Sequence, residues 1–321
     1  MTRFNILVTG GAGFIGSNLV QALLQHDRIS LVRVMDNLST GHLKNIEKFA
    51  HQTKFEFVEG DIRDFEACKR ACEGIDLISH QAALGSVPRS IKDPLTTNEV
   101  NITGTLNIFL AAANQGVRRI VFAASSSTYG DSKELPKREE RIGKPLSPYA
   151  VTKYVNELYA DVFAQTFGIE YVGLRYFNIF GPNQDPNGSY AAVIPLFFQA
   201  ALTNVSPTIN GDGSNSRDFT YVENAVEANI KALFIENKES INTIYNIACA
   251  EKTSLVELWN LIKELTGANC DCIFGPTRLG DVSHSLASID KAKALLMYEG
   301  EIKIKEGLEI TSRWYKQNIG N

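Results

Sequence analysis

Short apolar runs alternate with stretches of helical periodicity along the first half of the chain. Phe4–Thr9 is short and mostly apolar, which suits a buried strand better than a helix. Phe14–His26 follows with apolar residues at Phe14, Ile15, Leu19, Ala22 and Leu23, the spacing of one helix face. Leu31–Asp36, Phe55–Glu59, Leu77–His80 and Arg119–Ala124 repeat the strand signal, with helical stretches between them. Tyr149–Thr166 then reads as a helix and Glu170–Tyr176 as a strand. This β-α-β-α alternation predicts an α/β fold: a parallel sheet covered on both faces, with ligands at the carboxyl ends of its strands.

After Asn178 the pattern changes. Gly181-Pro182-Asn183-Gln184-Asp185-Pro186-Asn187-Gly188 is a long turn-rich loop. Helical patterns follow over Ile194–Ala201, from about Asn224 to Glu236, and over Leu255–Thr266, with short strands among them. A smaller mixed α/β domain is expected here, packed over a cleft shared with the first. The expected division is 1–177 and 178–321, with part of 218–250 returning to the first domain.

Composition narrows the function classes. The 321 residues suit two domains, and 44% apolar with 21% charged residues permits a sizeable core and excludes disorder. Lys plus Arg is 32 and Asp plus Glu is 36, a net charge of −4 that argues against a nucleic-acid binder. No apolar run reaches the roughly 18 residues of a membrane span. The first residues run directly into a strand without a signal-peptide pattern. Cys68/Cys72 and Cys270/Cys272 lack zinc spacing, and the five histidines show no metal spacing either. A cytoplasmic, reducing setting and no metal site are therefore expected.

Candidate chemistry begins at Thr9-Gly10-Gly11-Ala12-Gly13-Phe14-Ile15-Gly16, between the first strand and the first helix. Gly10, Gly13 and Gly16 follow G-x-x-G-x-x-G. Lacking Cβ atoms, they let the backbone turn sharply and approach a pyrophosphate, while the helix N-terminus offers N–H donors and partial positive charge. Asp36 ends the second strand, 20 residues after Gly16, where an acid meets the adenosine ribose hydroxyls. A carboxylate there repels a 2′-phosphate, which favours NAD over NADP. Asp61-Ile62, after the third strand, is placed to flank the adenine.

Tyr-x-x-x-Lys occurs twice. Tyr129/Lys133 spans Gly130-Asp131-Ser132 and has no helical register. Tyr149/Lys153 follows Ser147-Pro148, an N-cap with Pro at the first helical position, so the two side chains stand one turn apart on one face. An ammonium there is expected to stabilise a phenolate. Bringing a Tyr from near 10 to about 7 takes roughly 4 kcal/mol, which Lys153 and a nicotinamide cation together could supply. Ser125-Ser126-Ser127 ends the strand Arg119–Ala124 on the ligand side, where a hydroxyl can meet a substrate oxygen beside Tyr149.

Together these residues resemble the extended short-chain dehydrogenase/reductase family. The resemblance covers nearly the whole chain: Thr9–Gly16, Asp36-Asn37, Asp61-Ile62-Arg63-Asp64, His80-Gln81-Ala82-Ala83, Ser125–Gly130, Ser147–Lys153, Leu174–Pro182 and Arg278–Val282. It implies a Rossmann-like doubly wound parallel sheet. It implies NAD held by Gly10, Gly13, Phe14, Ile15, Gly16, Asp36, Asn37, Asp61, Ile62, Gln81, Ala82, Tyr149, Lys153 and Tyr176. Ser125 matches the family's catalytic Ser/Thr, Tyr149 its base and Lys153 the partner of that base. His80 and His284 are read as structural.

The family's 4,6-dehydratases carry Thr-Asp-Glu where this chain has Ser125-Ser126-Ser127, and its decarboxylating sugar-acid enzymes keep a Glu at Ser127. The chain instead resembles the UDP-hexose 4-epimerases of the family. Ala83–Ser90 and Asn187–Pro195 look especially like the bacterial members acting on UDP-N-acetylglucosamine. By this resemblance a UDP-sugar substrate contacts Gly85, Ser86, Ser125, Ser126, Ser127, Tyr149, Asn178, Gln184, Ala192 and Val193. Arg217 and Arg278 resemble its diphosphate clamp, and Asp281 its ribose contact. Ser285 stands where members that exclude N-acetyl sugars carry a Tyr. A homodimer through helices near Leu95–Asn114 and Tyr149–Phe167 is also implied. A UDP-uronate 4-epimerase, another nucleotide-sugar oxidoreductase of this fold, and a non-catalytic NAD-binding regulator remain open.

Overall fold

Seven parallel strands form the central sheet of the computed structural model, which describes residues 2–188, 191–276 and 284–318. Six come from the first half: β1 (Phe4–Thr9), β2 (Ile29–Asp36), β3 (Phe55–Glu59), β4 (Leu77–His80), β5 (Arg119–Ser125) and β6 (Glu170–Tyr176). The helices among them are α1 (Phe14–Leu24), α2 (Phe65–Cys72), α3 (Val87–Lys92), α4 (Pro94–Asn98), α5 (Thr105–Asn114) and α6 (Pro148–Phe167). The sheet order is β3-β2-β1-β4-β5-β6, followed by a seventh strand, Thr243–Ile247, paired in parallel with β6. This is the expected Rossmann-like α/β fold. The crossover from β3 to β4 makes the switch point beside β1, where α/β sheets bind ligands.

The continuous apolar runs have a simple cause: both faces of the sheet are buried. Along β1, Ile6 and Val8 face a core shared with Leu19, Val20 and Leu23 of α1 and with Ala225 and Ala228 of the helix Val222–Phe234. Leu7 faces the opposite core, with Ile78, Ile120, Ile108 and Phe109. The segment 218–250 thus contributes both a covering helix and a strand to this sheet.

Element ends moved slightly from expectation. The first helix stops at Leu24 rather than His26, and the helix expected over Asn224–Glu236 runs Val222–Phe234. Ile194–Ala201 widens to Val193–Leu202, while Leu255–Thr266 lies where its pattern placed it. Among the short strands described beyond Gly181, Thr208–Asn210 and Ile273–Gly275 pair with each other, the first of them lining the cleft. A last helix, Ile304–Asn318, packs against Phe180 and Tyr221. A Cβ at its Gly307 would come within 2.8 Å of the Phe180 ring, so glycine lets it seat there.

Candidate active site

A cleft of about 1390 Å³ runs along the carboxyl ends of the strands. At one end is the glycine turn after β1. Gly10 has φ +68°, and a Cβ on it would fall 2.6 Å from the Ala82 nitrogen. A Cβ on Gly16 would fall 2.1 Å from the Gly10 carbonyl oxygen. These contacts allow no side chain. Gly13 occupies the N-cap of α1 without a side-chain cap, so the first-turn N–H groups remain available to an anion. Phe14 and Ile15 line the cleft beside them.

Asp36 closes β2 and is buried. Its Oδ2 accepts from the Ala12 N–H at 3.0 Å and its Oδ1 from the Leu38 N–H at 2.8 Å. Burial raises its pKa, and these two donors oppose the rise. A Cβ on Gly41 would lie 3.0 Å from Asp36 Oδ2, so the following loop closes against the carboxylate. Asn37 Nδ2 donates to Asp61 Oδ2 at 2.8 Å. The Arg63 guanidinium bonds Asp61 as well and holds its pKa down at about 2. Asp61 and Ile62 line the same end of the cleft.

Gln81 and Tyr176 line its middle. The Tyr176 hydroxyl donates to Gln81 Oε1 at 3.1 Å and accepts from Asn229 Nδ2 at 2.7 Å. Gln81 Nε2 donates in turn to Asn229 Oδ1 at 3.0 Å, which fixes the orientation of both amides.

The reactive group sits where β5 ends and α6 begins. Ser147 caps α6 by accepting from the Ala150 N–H at 3.1 Å, and Pro148 follows, as the sequence predicted. Tyr149 and Lys153 lie one turn apart and both line the cleft. Ser125 lies beside the Tyr149 hydroxyl and favours its ionised form. Ser127 Oγ donates to Ser125 Oγ at 2.8 Å, so Ser127 supports Ser125 instead of lining the cleft.

Lys153 Nζ donates to the Ala123 carbonyl at 2.8 Å, and its pKa is lowered to about 8 by burial. Burial raises the Tyr149 pKa, and the neighbouring Ser125 hydroxyl only partly offsets this. The residues by themselves therefore keep Tyr149 a phenol. The nicotinamide cation expected from the sequence would act against this rise. His80, beneath Lys153, is lowered to about 3 by burial and by the Lys153 charge, so it stays neutral. It lies 2.6 Å from Thr9 Oγ1 and 2.9 Å from Thr105 Oγ1, a structural role. The other Tyr-x-x-x-Lys is also structural. Tyr129 is buried and donates to Asn246 Oδ1 at 2.6 Å, and burial pushes its pKa up to about 12.

Gly85, Ser86, Ser126, Asn178, Ala192, Val193 and Arg217 also line the cleft. Asn178 has φ +40° and donates Nδ2 to the Asp218 carbonyl at 2.9 Å. Two further expected contacts lie off the lining. Gln184 turns its Nε2 back to the Ile179 carbonyl at 3.3 Å. Ser285 is held by its N–H on the Ser216 carbonyl at 3.0 Å, beside Arg217 rather than on the cleft. Arg278 and Asp281 lie outside the described residues. Several lining residues were not anticipated. Ser39, Thr40 and Gly41 border Asp36, and Thr208, Ile209 and Asn210 form the far wall. The apolar face of Val193–Leu202, through Leu196, Phe197 and Ala200, carried a usable helical signal; Thr208–Asn210 carried none. Among the described residues no cluster could hold a metal ion, and no helix is long and apolar enough to cross a membrane.

Comparison with known proteins gives a consistent picture. The model of the NAD dependent epimerase/dehydratase family matches residues 6–248. The structure of a UDP-N-acetylglucosamine 4-epimerase from Methanobrevibacter ruminantium, in complex with UDP-N-acetylmuramic acid, is 37% identical. It superposes with a TM-score of 0.92, over 99% of each chain. The UDP-glucose 4-epimerase of Thermotoga maritima, solved with UDP-glucose, is 35% identical with a TM-score of 0.92, over 98% of this chain and 99% of the other. The UDP-glucuronic acid 4-epimerase of Bacillus cereus, solved with UDP-glucuronic acid and NAD, is 30% identical with a TM-score of 0.90, over the same shares.

Proposed function

The chain belongs to the NAD dependent epimerase/dehydratase family, and from that premise we propose that it epimerises C4 of a UDP-hexose, converting UDP-N-acetylglucosamine to UDP-N-acetylgalactosamine. The observation that carries this reading is the joining of Ser125, Tyr149 and Lys153 to the glycine turn in one cleft. The donor set fits NAD: Gly13 leaves the α1 N-terminus open to a diphosphate, and Asp36 offers a carboxylate to ribose hydroxyls. In this reading 1–177, with the part of 218–250 that joins the sheet, holds NAD, and the rest of 178–321 holds the nucleotide sugar.

NAD, when bound, supplies a reversible hydride acceptor and a positive charge. Tyr149 takes the proton of the 4-hydroxyl, and Ser125, beside the phenol, holds the same substrate oxygen. Lys153, anchored on Ala123, steadies the ionised phenol. The 4-keto sugar then presents its other face, and Tyr149 returns the proton as C4 is reduced with inverted configuration. Net redox is zero. Asn178 and Arg217 are placed to hold the sugar and the diphosphate.

An N-acetylated hexose is supported by the likeness to the UDP-N-acetylglucosamine 4-epimerase and by the small wall. A Cβ at Gly85 would meet no atom within 4 Å, and Ser126 and Ala192 are small as well. A uronate is less well matched. Among the described lining residues the cations are Lys153, already bonded to Ala123, and Arg217. Incubation with UDP-hexoses, UDP-N-acetylhexosamines and UDP-glucuronate, with each C4 epimer resolved, tests this. Turnover of UDP-glucuronate alone would replace the N-acetyl reading, and no turnover of any would refute epimerisation.

The same proposal includes a homodimer. Ile91 of α3, Leu95 of α4, and Leu158 and Val162 of α6 form an exposed apolar face on helices that pack together, Leu95 being 76% exposed. A second copy covers it in this reading. Light scattering should give twice the 35.4 kDa chain mass, and Leu158→Arg should return a monomer. A wild-type monomer would refute this part.

A further inference from the structure

The turn-rich segment Pro182–Gly188 belongs to the second half of the chain, yet its bonds reach elements on both sides of the glycine turn. On one side is α1. Asn18 donates its Nδ2 to the Pro182 carbonyl at 3.0 Å and to the Phe14 carbonyl at 2.9 Å. Asn183 Nδ2 donates to Ser17 Oγ at 3.2 Å. On the other side is the loop after β2, where His42 Nε2 meets Asp185 Oδ2 at 3.3 Å. A carboxylate only accepts, so the imidazole nitrogen carries the proton of this bond. The Tyr315 hydroxyl, on the last helix, donates to the Gln184 carbonyl between these anchors at 2.6 Å.

His42 joins this segment to the residues around Asp36. Its N–H donates to the carbonyl of Ala12, within the glycine turn, at 3.0 Å. The Ala12 N–H donates in turn to Asp36 Oδ2 at 3.0 Å. The three residues before His42, Ser39 to Gly41, line the cleft, and so does Gly188 at the far end of the segment. Burial raises the Asp36 pKa; the Leu38 and Ala12 N–H groups oppose this, and so does the nearby His42 ring when charged. Neither His42 nor Asp185 lines the cleft itself.

We propose that His42 and Asp185 form a latch: they hold Pro182–Gly188 against the cofactor end of the cleft and so slow the release of NAD. Neither touches the reacting atoms, so both are positioning residues. The latch rests on NAD binding and not on which sugar is turned over. It also suits the reaction proposed above, because an oxidation at C4 that is reversed on the same molecule needs its NAD kept in place.

Exchange of bound NAD for an excess of isotopically labelled NAD, read by mass spectrometry after free nucleotide is removed, tests this without any sugar. His42→Ala and Asp185→Ala should each release NAD about two- to fivefold faster, the range open to an exposed pair. Asp185→Ala also removes an acceptor from the Asn187 N–H, so His42→Ala is the cleaner variant. The double variant should release NAD no faster than the faster single one, because both break the same bond. His42→Gln, whose amide can still donate to Asp185, should restore slow release. Tm should stay near wild type throughout, since both side chains are exposed. Unchanged release in His42→Ala, or single effects that multiply in the double variant, overturns the proposal. So does a wild type that exchanges its NAD on mixing. Faster release accompanied by a Tm several degrees lower also overturns it, as the mark of a general packing role. If wild type converts no UDP-hexose, the epimerase reading fails, while NAD exchange still decides for the latch.

Discussion

Two tyrosines in the same short motif should separate chemistry from stability. Tyr149→Phe removes one hydroxyl from the cleft wall. Its partner Ser125 keeps its bond from Ser127 at 2.8 Å, so no buried group is orphaned and Tm should barely move. Activity should fall about 10²–10⁴-fold, the contribution of a positioned general base, equivalent to roughly 3–5 kcal/mol on the barrier. NAD should still copurify, because the glycine turn and Asp36 are untouched. Tyr129→Phe should do the reverse. It deletes a 2.6 Å bond in the core and leaves Asn246 Oδ1 without that donor. The cost is about 1–3 kcal/mol of stability, which lowers Tm by several degrees, with kcat within a few-fold of wild type. Chromatographic resolution of the C4 epimers, NAD released on denaturation and a thermal melt supply the three readouts. Tyr149→Phe retaining more than a tenth of wild-type activity would refute the assignment of the base. So would an inactive Tyr129→Phe with an unshifted Tm.

Asp36→Ala should lose NAD during purification and admit NADP, since a ribose partner and a repulsive charge disappear together; unchanged NAD content with NADP still rejected would disprove the ribose assignment. Buried His80 titrates near 3 in the fold against about 6.5 unfolded, so the stability it contributes is present above pH 6.5 and is lost as pH falls. Asp218, pushed up to about 7 by burial, behaves oppositely: its contribution is full below about pH 4 and is lost as pH rises through 7. Relative to wild type, Asp218→Asn should therefore gain stability steadily from pH 4 to 7, by up to ~4 kcal/mol, and parallel Tm–pH curves would rule this out. Gly85→Val should cut kcat/KM for UDP-N-acetylhexosamines by about tenfold and spare UDP-glucose. Equal losses on both would show that Gly85 does not border the N-acetyl group.

What was legible in the sequence shares a local cause. Strands β1 to β6 read clearly because burial on both faces leaves them little room for polar residues. The glycine turn, Asp36 and the Tyr149/Lys153 register are set by spacings within one or two elements. The strand Thr243–Ile247 was hidden by its own polar residues. Asn246, for instance, is fully buried because the Lys137 and Ser288 carbonyls accept from it. Periodicity did not reveal that Ser127 turns its hydroxyl to Ser125 or that Gln184 turns its amide to the Ile179 carbonyl, because turn geometry rather than a repeating pattern directs both side chains. Spacing reports that Lys153 is near Tyr149, but it does not report the burial of the pair or the Ala123 carbonyl that Lys153 bonds.

The late origin of the seventh strand has a consequence for synthesis. Until Thr243–Ile247 has emerged, the outer edge of β6 has no partner, and that edge adjoins the strand that carries Ser125. About 70 residues separate the two strands, so at ~5–20 residues per second the edge stays open for roughly 4–14 s on each ribosome. An unpaired, largely apolar edge is a template for pairing with a neighbouring nascent chain. A fragment ending at Phe177 would leave that edge unpaired. Split, truncated or fused versions of this protein have to carry the chain at least through Ile247 before the cofactor cleft can be complete.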